Sequence, residues 1–366
     1  MTAIIFIIVL AVLIFVHELG HFLLARWNGI RVDAFKIGFG PRIFHWKRGE
    51  TEYGINLIPF GGYVKIHGEN PSDEATSGPD KDRSFINKNR WIQASVLLAG
   101  IFFNFIFAWL LYFGILFIGG NVPVSAFTNY KEYMTDHRVI VLDSTFDSPA
   151  IKAGLGIGDV ISSVLSNGQL IAIRSTSDLQ NVVNNSNGNS ISLTYKKSGI
   201  DKTVQIVPVK GLIENKYAIG VSMDEIAYIH MPLFTALKNS IVSSVDIIWG
   251  TAVGLFNFVT GLFHGASSLS DVTGPIGIAV IIGNAFHLNI SYLLIVVAII
   301  SINLGVINLV PFPALDGGRT LFVAIEGIIR RKIPEKFFNI TNMVGFVLLM
   351  LLMVVVTFRD VVGLIK

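Results

Sequence analysis

The chain has 366 residues, 52% of them hydrophobic and 14% charged, with a formal net charge of +3 and no cysteine. That balance departs from a soluble globular composition and makes a membrane protein the first expectation. It excludes disulfides, thiolate ligands and a cysteine nucleophile, so any metal site must use His, Asp or Glu; the small charge surplus, with no Lys/Arg-rich run, argues against nucleic acid as a partner.

Residues 3–16 are an unbroken apolar run. Continuing through His17-Glu18-Leu19-Gly20-His21 to Ala25 makes the stretch long enough to cross roughly 30 Å of hydrocarbon. A signal peptide would carry Lys or Arg ahead of the run and a clean small-residue cleavage site after it; Met1-Thr2 and the charged interruptions fit neither, so a retained helix is expected. Residues 37–64, punctuated by Gly38, Gly40, Pro41, Gly54, Gly61 and Gly62, read as short strands and turns close to the membrane. Residues 71–83, rich in Ser, Asp and Pro, read as a flexible loop, and residues 92–118 as a second membrane helix.

From 121 to 211 the pattern changes. Residues 139–142, 190–195 and 203–209 look like short strands separated by turn residues, and 177–185 like a helix, giving an α+β domain of about 90 residues with its own core. Residues 232–265 are apolar but carry Lys238, Asn239, Ser240, Ser243, Ser244, Asp246 and Asn257, which suits an amphipathic helix in the membrane interface; a further span over 247–263 is the alternative. Residues 292–309 and 342–358 read as the third and fourth membrane helices. Basic residues after the first helix (Arg26, Arg31, Lys36, Arg42, Lys47, Arg48) and between the third and fourth (Arg330, Arg331, Lys332, Lys336) mark those segments as cytoplasmic, leaving both termini and the middle domain outside. The expected fold is thus a polytopic α-helical membrane protein with four transmembrane helices, a membrane-associated β segment and one inserted α+β domain. Its parts are 1–120, 121–211, 212–288 and 289–366.

His17-Glu18-Leu19-Gly20-His21 is an H-E-x-x-H sequence. On a helix its i, i+4 spacing stacks two imidazoles on one face, where they can share one Zn²⁺ beside a glutamate able to act as general base. Ionisable groups inside an apolar span are costly, which makes them functional candidates; the alternative is a helix that ends early, with His17 and Glu18 at the interface. A hydrolytic zinc site wants three protein ligands and one open position. Asp316, in Asn308-Leu309-Val310-Pro311-Phe312-Pro313-Ala314-Leu315-Asp316-Gly317-Gly318-Arg319, is the best third candidate. It could instead be an N-cap for a helix over 319–327, and Glu326 is a rival ligand. The histidines at 45, 67, 137, 230, 264 and 287 read as solvated loop residues.

His-Glu-Leu-Gly-His in the first helix, Asn-Leu-Val-Pro-Phe-Pro-Ala-Leu-Asp-Gly-Gly in the third and the intervening segment together resemble the site-2 protease family, of the bacterial regulator-of-sigma-E protease type, over nearly the full chain. The resemblance implies an intramembrane zinc endopeptidase of peptidase family M50, with His17, His21 and Asp316 as metal ligands and Glu18 as catalytic base. It implies that Asn308 holds the substrate strand, and makes Gly38, Gly40, Pro311 and Pro313 candidate substrate contacts. It also implies that residues 121–211 are a PDZ-like domain, one where the best-known members have two. Single-span membrane proteins would be the substrates, such as an anti-sigma factor or a cleaved signal peptide. The PDZ-like domain would take peptide C-termini or act as a size filter, and the bacterial cytoplasmic (inner) membrane would be the location. Two other classes compete: a membrane-bound PDZ adaptor without a working centre, which would not need ligands and base together, and a zinc transporter, which would need polar residues on several helices. Asn104 is the main polar residue inside the second helix, and a small polar residue there usually serves packing.

Overall fold

The computed structural model describes residues 1–69, 77–145, 147–197, 199–213, 216–268 and 272–365. Of the expected loop at 71–83, residues 71–76 therefore lie outside the described residues, and its end is a short helical turn, Lys81–Arg83. The chain divides into two units: Met1–Leu111 with Ile241–Ile282 and Val297–Lys366, and Tyr112–Ser240 with Gly283–Val296.

The first unit begins with α1 (Thr2–Trp27), almost wholly apolar apart from the His17–His21 segment. It ends where Asn28 returns its side-chain amide to the Leu24 carbonyl at 2.8 Å and Gly29 turns left-handed at φ 63°. Two long strands follow, β1 (Val32–Arg48) and β2 (Thr51–Ile66), joined by a tight turn at Gly49 (φ 66°) with Arg48 opposite Thr51. The glycine-rich middle of this hairpin folds it over. Phe35 pairs with Tyr53 on one side and with Val64 on the other, and Ile37 likewise with Ile55 and Gly62. The start of β1 is therefore a central strand, and 62–66 is an outer strand whose far edge pairs with no strand among the described residues. Phe22, Ala25, Phe35, Val64, Ile66 and Leu97 share one buried cluster, which seats the hairpin on α1 and on α2 (Arg90–Ile118).

The remaining long helices are α5 (Leu233–His264), α6 (Pro275–Leu288), α7 (Ile290–Leu309), α8 (Asp316–Ile329) and α9 (Glu335–Ile365), where α5, like α2, α6 and α7, begins in one unit and ends in the other. By length and composition alone, five helices among the described residues are able to cross a bilayer, not the four expected: α1, α2, the 233–262 part of α5, α7 and α9. The addition is the helix expected to lie in the interface, because its 32 residues contain a long enough apolar window despite the scattered polar ones.

The second unit is a seven-stranded sheet of order β3-β11-β4-β5-β7-β8, with β6 paired to β5. The strands are β3 (Gly120–Pro123), β4 (Met134–Ser144), β5 (Val160–Ser166), β6 (Gln169–Ala172), β7 (Ile191–Lys197), β8 (Ile200–Ile206) and β11 (Val221–Ile229); β9 (Val209–Ile213) and β10 (Lys216–Ala218) form a separate hairpin. The short helix α3 (Pro149–Lys152) and the helix α4 (Thr176–Asn185) complete it. α4 starts with a capping box: Ser175 accepts from the Asp178 amide while Asp178 accepts from the Ser175 amide at 2.9 Å. Leu179, Val182 and Val183, on one face of α4, join Val139, Val141, Ile161 and Leu193 in the core. The expected strands and helix are present, but the sheet does not stop at Gly211: β11 is inserted between β3 and β4. Asp224 and Glu225 interrupt its apolar alternation, which hid it in the sequence.

Candidate metal centre

The H-E-x-x-H segment lies inside α1, not at its end. His21 is buried, and its Nδ1 faces the Val96 carbonyl at 2.8 Å. His17 Nδ1 is 3.2 Å from the side-chain amide of Asn104. Both rings therefore turn Nε2 inward, where the two atoms stand 3.2 Å apart.

The third group arrives by a different route. Beyond α7 the backbone is irregular: Ala314 adopts φ 74°, its amide is held by Asn342 Oδ1 at 3.1 Å, and Leu315 donates back to the Phe312 carbonyl. Gly317 and Gly318 are required by close approach, since a Cβ on either would lie 2.3 Å from the Leu309 oxygen or 2.1 Å from that of Phe312. The folded-back loop delivers Asp316 as the first residue of α8, with Oδ2 3.1 Å from His17 Nε2 and 3.3 Å from His21 Nε2. The N-cap alternative does not hold, because Leu315 occupies that position. Glu326 does not join the cluster either; it pairs with Arg90 at 2.6 Å and accepts from the Ile333 amide.

Among the described residues, His17, His21 and Asp316 are the one group of His, Asp or Glu whose ligand atoms converge. His21, whose Nδ1–H has an acceptor in the Val96 carbonyl, has its Nε2 lone pair free to face inward, and the buried Oδ2 of Asp316 has no hydrogen-bond partner. Donors about 2.0–2.1 Å from a shared ion at tetrahedral angles stand about 3.3 Å apart. The observed triangle, with edges of 3.1, 3.2 and 3.3 Å, fits such an ion.

Small residues make room for it. Gly100 of α2 faces the imidazoles so closely that a Cβ there would be 2.4 Å from His21 Nε2, and Gly20 of α1 lies against the Ala99 carbonyl. The triad opens onto a cleft of about 340 Å³. Glu18, Tyr63, Lys65, Glu69 and Arg319 line it, and Arg319 is ion-paired with Glu69. Glu18 is half-buried, and Gly62 of the outer strand passes so near that an added Cβ would lie 3.4 Å from its Cγ.

The other substrate candidates are not brought to this cleft. Asn308 is half-buried near the end of α7, and Pro313 packs on Gly345 of α9. Pro311 is exposed, and Gly38 and Gly40 sit in β1 with left-handed φ of 84° and 82°. Nor are the remaining histidines all loop residues: His45 lies in β1, His137 in β4 paired with Glu225 at 2.6 Å, and His264 and His287 in helices. Of the residues that sequence reasoning passed over, Asn104 is the most informative; its signal was a polar side chain in an otherwise apolar helix.

Two histidines and a carboxylate converging among long apolar helices, with a glutamate beside them, define a membrane-type metallohydrolase centre. The profile of peptidase family M50 matches residues 5–352, and the chain belongs to that family. It is 36% identical over 354 residues to a protein of Clostridium perfringens, covering 96% of this chain and 95% of that one. It is 34% identical to one of Clostridium acetobutylicum, covering 97% and 96%, and 31% identical to one of Mesorhizobium japonicum, covering 98% of each. All three bear the provisional name zinc metalloprotease.

Proposed function

We propose that this chain is a zinc endopeptidase that cleaves single-span membrane proteins within or beside their transmembrane segments. The observation that carries the reading is the triangle of His17 Nε2, His21 Nε2 and Asp316 Oδ2, sized for one tetrahedral ion and placed between apolar helices. His17, His21 and Asp316 hold the metal. When bound, zinc acidifies water and polarises the scissile carbonyl. Glu18, beside the triad on the same cleft, takes the water's proton on its carboxylate and returns it to the leaving amide nitrogen.

A transmembrane substrate hides its peptide bonds in helical hydrogen bonds, so cleavage requires local unwinding and new partners for the freed backbone. The free edge of the outer strand 62–66, bordering Glu18, is suited to supply them by pairing with the extended substrate. Asn308, Gly38, Gly40, Pro311 and Pro313 are assigned to substrate by family resemblance.

We take the protein to cross the bacterial cytoplasmic membrane four times, with α5 in the interface and both termini outside, on the basis of the basic loops and the polar residues of α5. The second unit is read as PDZ-like. The 221–225 part of β11 has β4 on one flank, whereas β3 reaches only 226–229. A groove of about 590 Å³ lies there, lined by Leu179, Val183, Asn184, Ile219, Ser222 and Met223, suited to an added peptide strand.

The test is cleavage of a model single-span substrate by purified protein in detergent, with chelation and zinc add-back, wild type beside Glu18→Gln. Expected are activity that follows zinc and, in the variant, a loss of at least about 10²-fold with zinc still bound. Turnover by Glu18→Gln at the wild-type rate would remove Glu18 as the base. Wild-type protein that binds no zinc would move the reading to a membrane-bound adaptor.

A further inference from the structure

The mechanism above leaves Asn104 unused. Its side chain is fully buried in α2, and its backbone carbonyl is fixed by the Ser301 hydroxyl at 2.8 Å. Its Nδ2 is 3.2 Å from His17 Nδ1, and its Oδ1 has no hydrogen-bond partner. Leaving such an oxygen unpaired is unfavourable, so a carboxamide at this depth calls for an explanation.

The chemistry of His17 provides one. A neutral imidazole that offers its Nε2 lone pair to a metal carries its proton on Nδ1, and that N–H needs an acceptor. His21 has its acceptor in the Val96 carbonyl. The group that the structure places beside His17 Nδ1 is the Asn104 carboxamide, at 3.2 Å. The oxygen and nitrogen of a carboxamide exchange places by a half-turn about χ2. With Oδ1 toward His17, the otherwise orphaned oxygen accepts the Nδ1–H that metal ligation requires.

We infer that Asn104 is a positioning residue for the metal centre: through Oδ1 it holds His17 in the Nδ1–H tautomer, with Nε2 directed at the site shared with His21 and Asp316. The inference rests on the zinc reading proposed above. Asn104 touches neither metal nor substrate; it acts through the ring of His17.

The test is zinc affinity, measured by chelator competition on the purified full-length protein. Asn104→Leu, similar in size but without an acceptor, is expected to weaken zinc by about 10–100-fold, the usual effect of losing a partner behind a metal-bound histidine. Asn104→Asp, which keeps an oxygen at the same reach, is expected to stay near wild type. Asn104→Ser, too short to reach the ring, is expected to weaken zinc as Leu does, and serves if the Leu variant does not fold. Wild-type affinity in Asn104→Leu or Asn104→Ser, or equal weakening by Asp and Leu, overturns the inference and leaves Asn104 a packing residue. Undiminished zinc affinity in Asp316→Asn would instead overturn the metal-centre reading itself.

Discussion

Gly100→Ala probes the geometry of the centre without touching a ligand. An alanine Cβ at this position would stand 2.4 Å from His21 Nε2, 2.7 Å from His17 Cε1 and 2.9 Å from His17 Nδ1. Ordinary non-bonded carbon contacts begin near 3.5 Å, so the His21 nitrogen must retreat by about 1 Å, or the helices must part by that much. Parting would open the neighbouring close contact, where Gly20 lies against the Ala99 carbonyl. Metal–ligand distances tolerate only about 0.2 Å, and a misplacement of about 1 Å in a catalytic group costs on the order of 10²-fold in rate. Gly100→Ala is therefore expected to lower turnover by about 10²-fold or more even at saturating zinc, and to weaken zinc in chelator competition. Gly114→Ala, on the same helix with no atom within 4 Å of its added Cβ, is the control and should leave both unchanged. Wild-type zinc affinity and turnover in Gly100→Ala would refute the placement of α2 against the two histidines.

The loop that presents Asp316 makes a parallel demand. Gly318→Ala would force its Cβ to 2.1 Å from the Phe312 oxygen, so it should cost about 1–3 kcal/mol in thermal unfolding and lower zinc content. Gly327→Ala, later in α8 with its nearest atom at 4.0 Å, should be neutral or stabilising by up to about 1 kcal/mol. In the second unit, the Arg174 and Ser175 amides hold the Asp178 carboxyl below its usual range. A carboxyl whose pKa is depressed by folding contributes stability that is present above its unfolded pKa, about 3.9, and fades as pH falls through the folded value. Amide protection of α4, corrected for intrinsic exchange, should thus decline on acidification below about pH 4 in wild type and lose that dependence in Asp178→Asn. An unchanged pH profile in the variant would show that the capping box does not set it.

The parts of the fold written in short-range chemistry were legible in the sequence. α1, α2, α7 and α9 follow from apolar runs, and the helix expected over 177–185 is α4, whose capping box of Ser175 and Asp178 is seen only in the structure. The two histidines are four residues apart, so any helix puts them on one face. What stayed hidden depended on tertiary approach. That Asp316 rather than Glu326 meets them is decided by a loop in which Ala314 is left-handed and Gly317 and Gly318 touch carbonyls. The fold-over of β1 and β2, which frees the edge at 62–66 and brings it to Glu18, comes from paired registers that no local pattern encodes. Asn104 was visible as an anomaly, but its neighbour was not.

A metallohydrolase centre among long apolar helices requires polar atoms where unpaired ones are poorly tolerated, and most of those around this centre have a protein partner. Ring nitrogens that do not face the centre meet Val96 and Asn104; the backbone around Asp316 is held by Asn342 and by turns within 307–315; Arg319 at the cleft wall is paired with Glu69. Among the buried side-chain atoms left without a hydrogen-bond partner, Asp316 Oδ2 is the one at the centre itself. Asp316 Oδ2 and the two inward Nε2 atoms converge on one another, and the strand edge at 62–66 borders the same cleft. An unpaired carboxylate oxygen beside an unpaired backbone edge is a liability for a packing core and a requirement for the proposed enzyme, which would take up a cation and an extended peptide. Their placement together in one cleft favours a peptidase over a membrane-bound scaffold, for which neither feature would have a use.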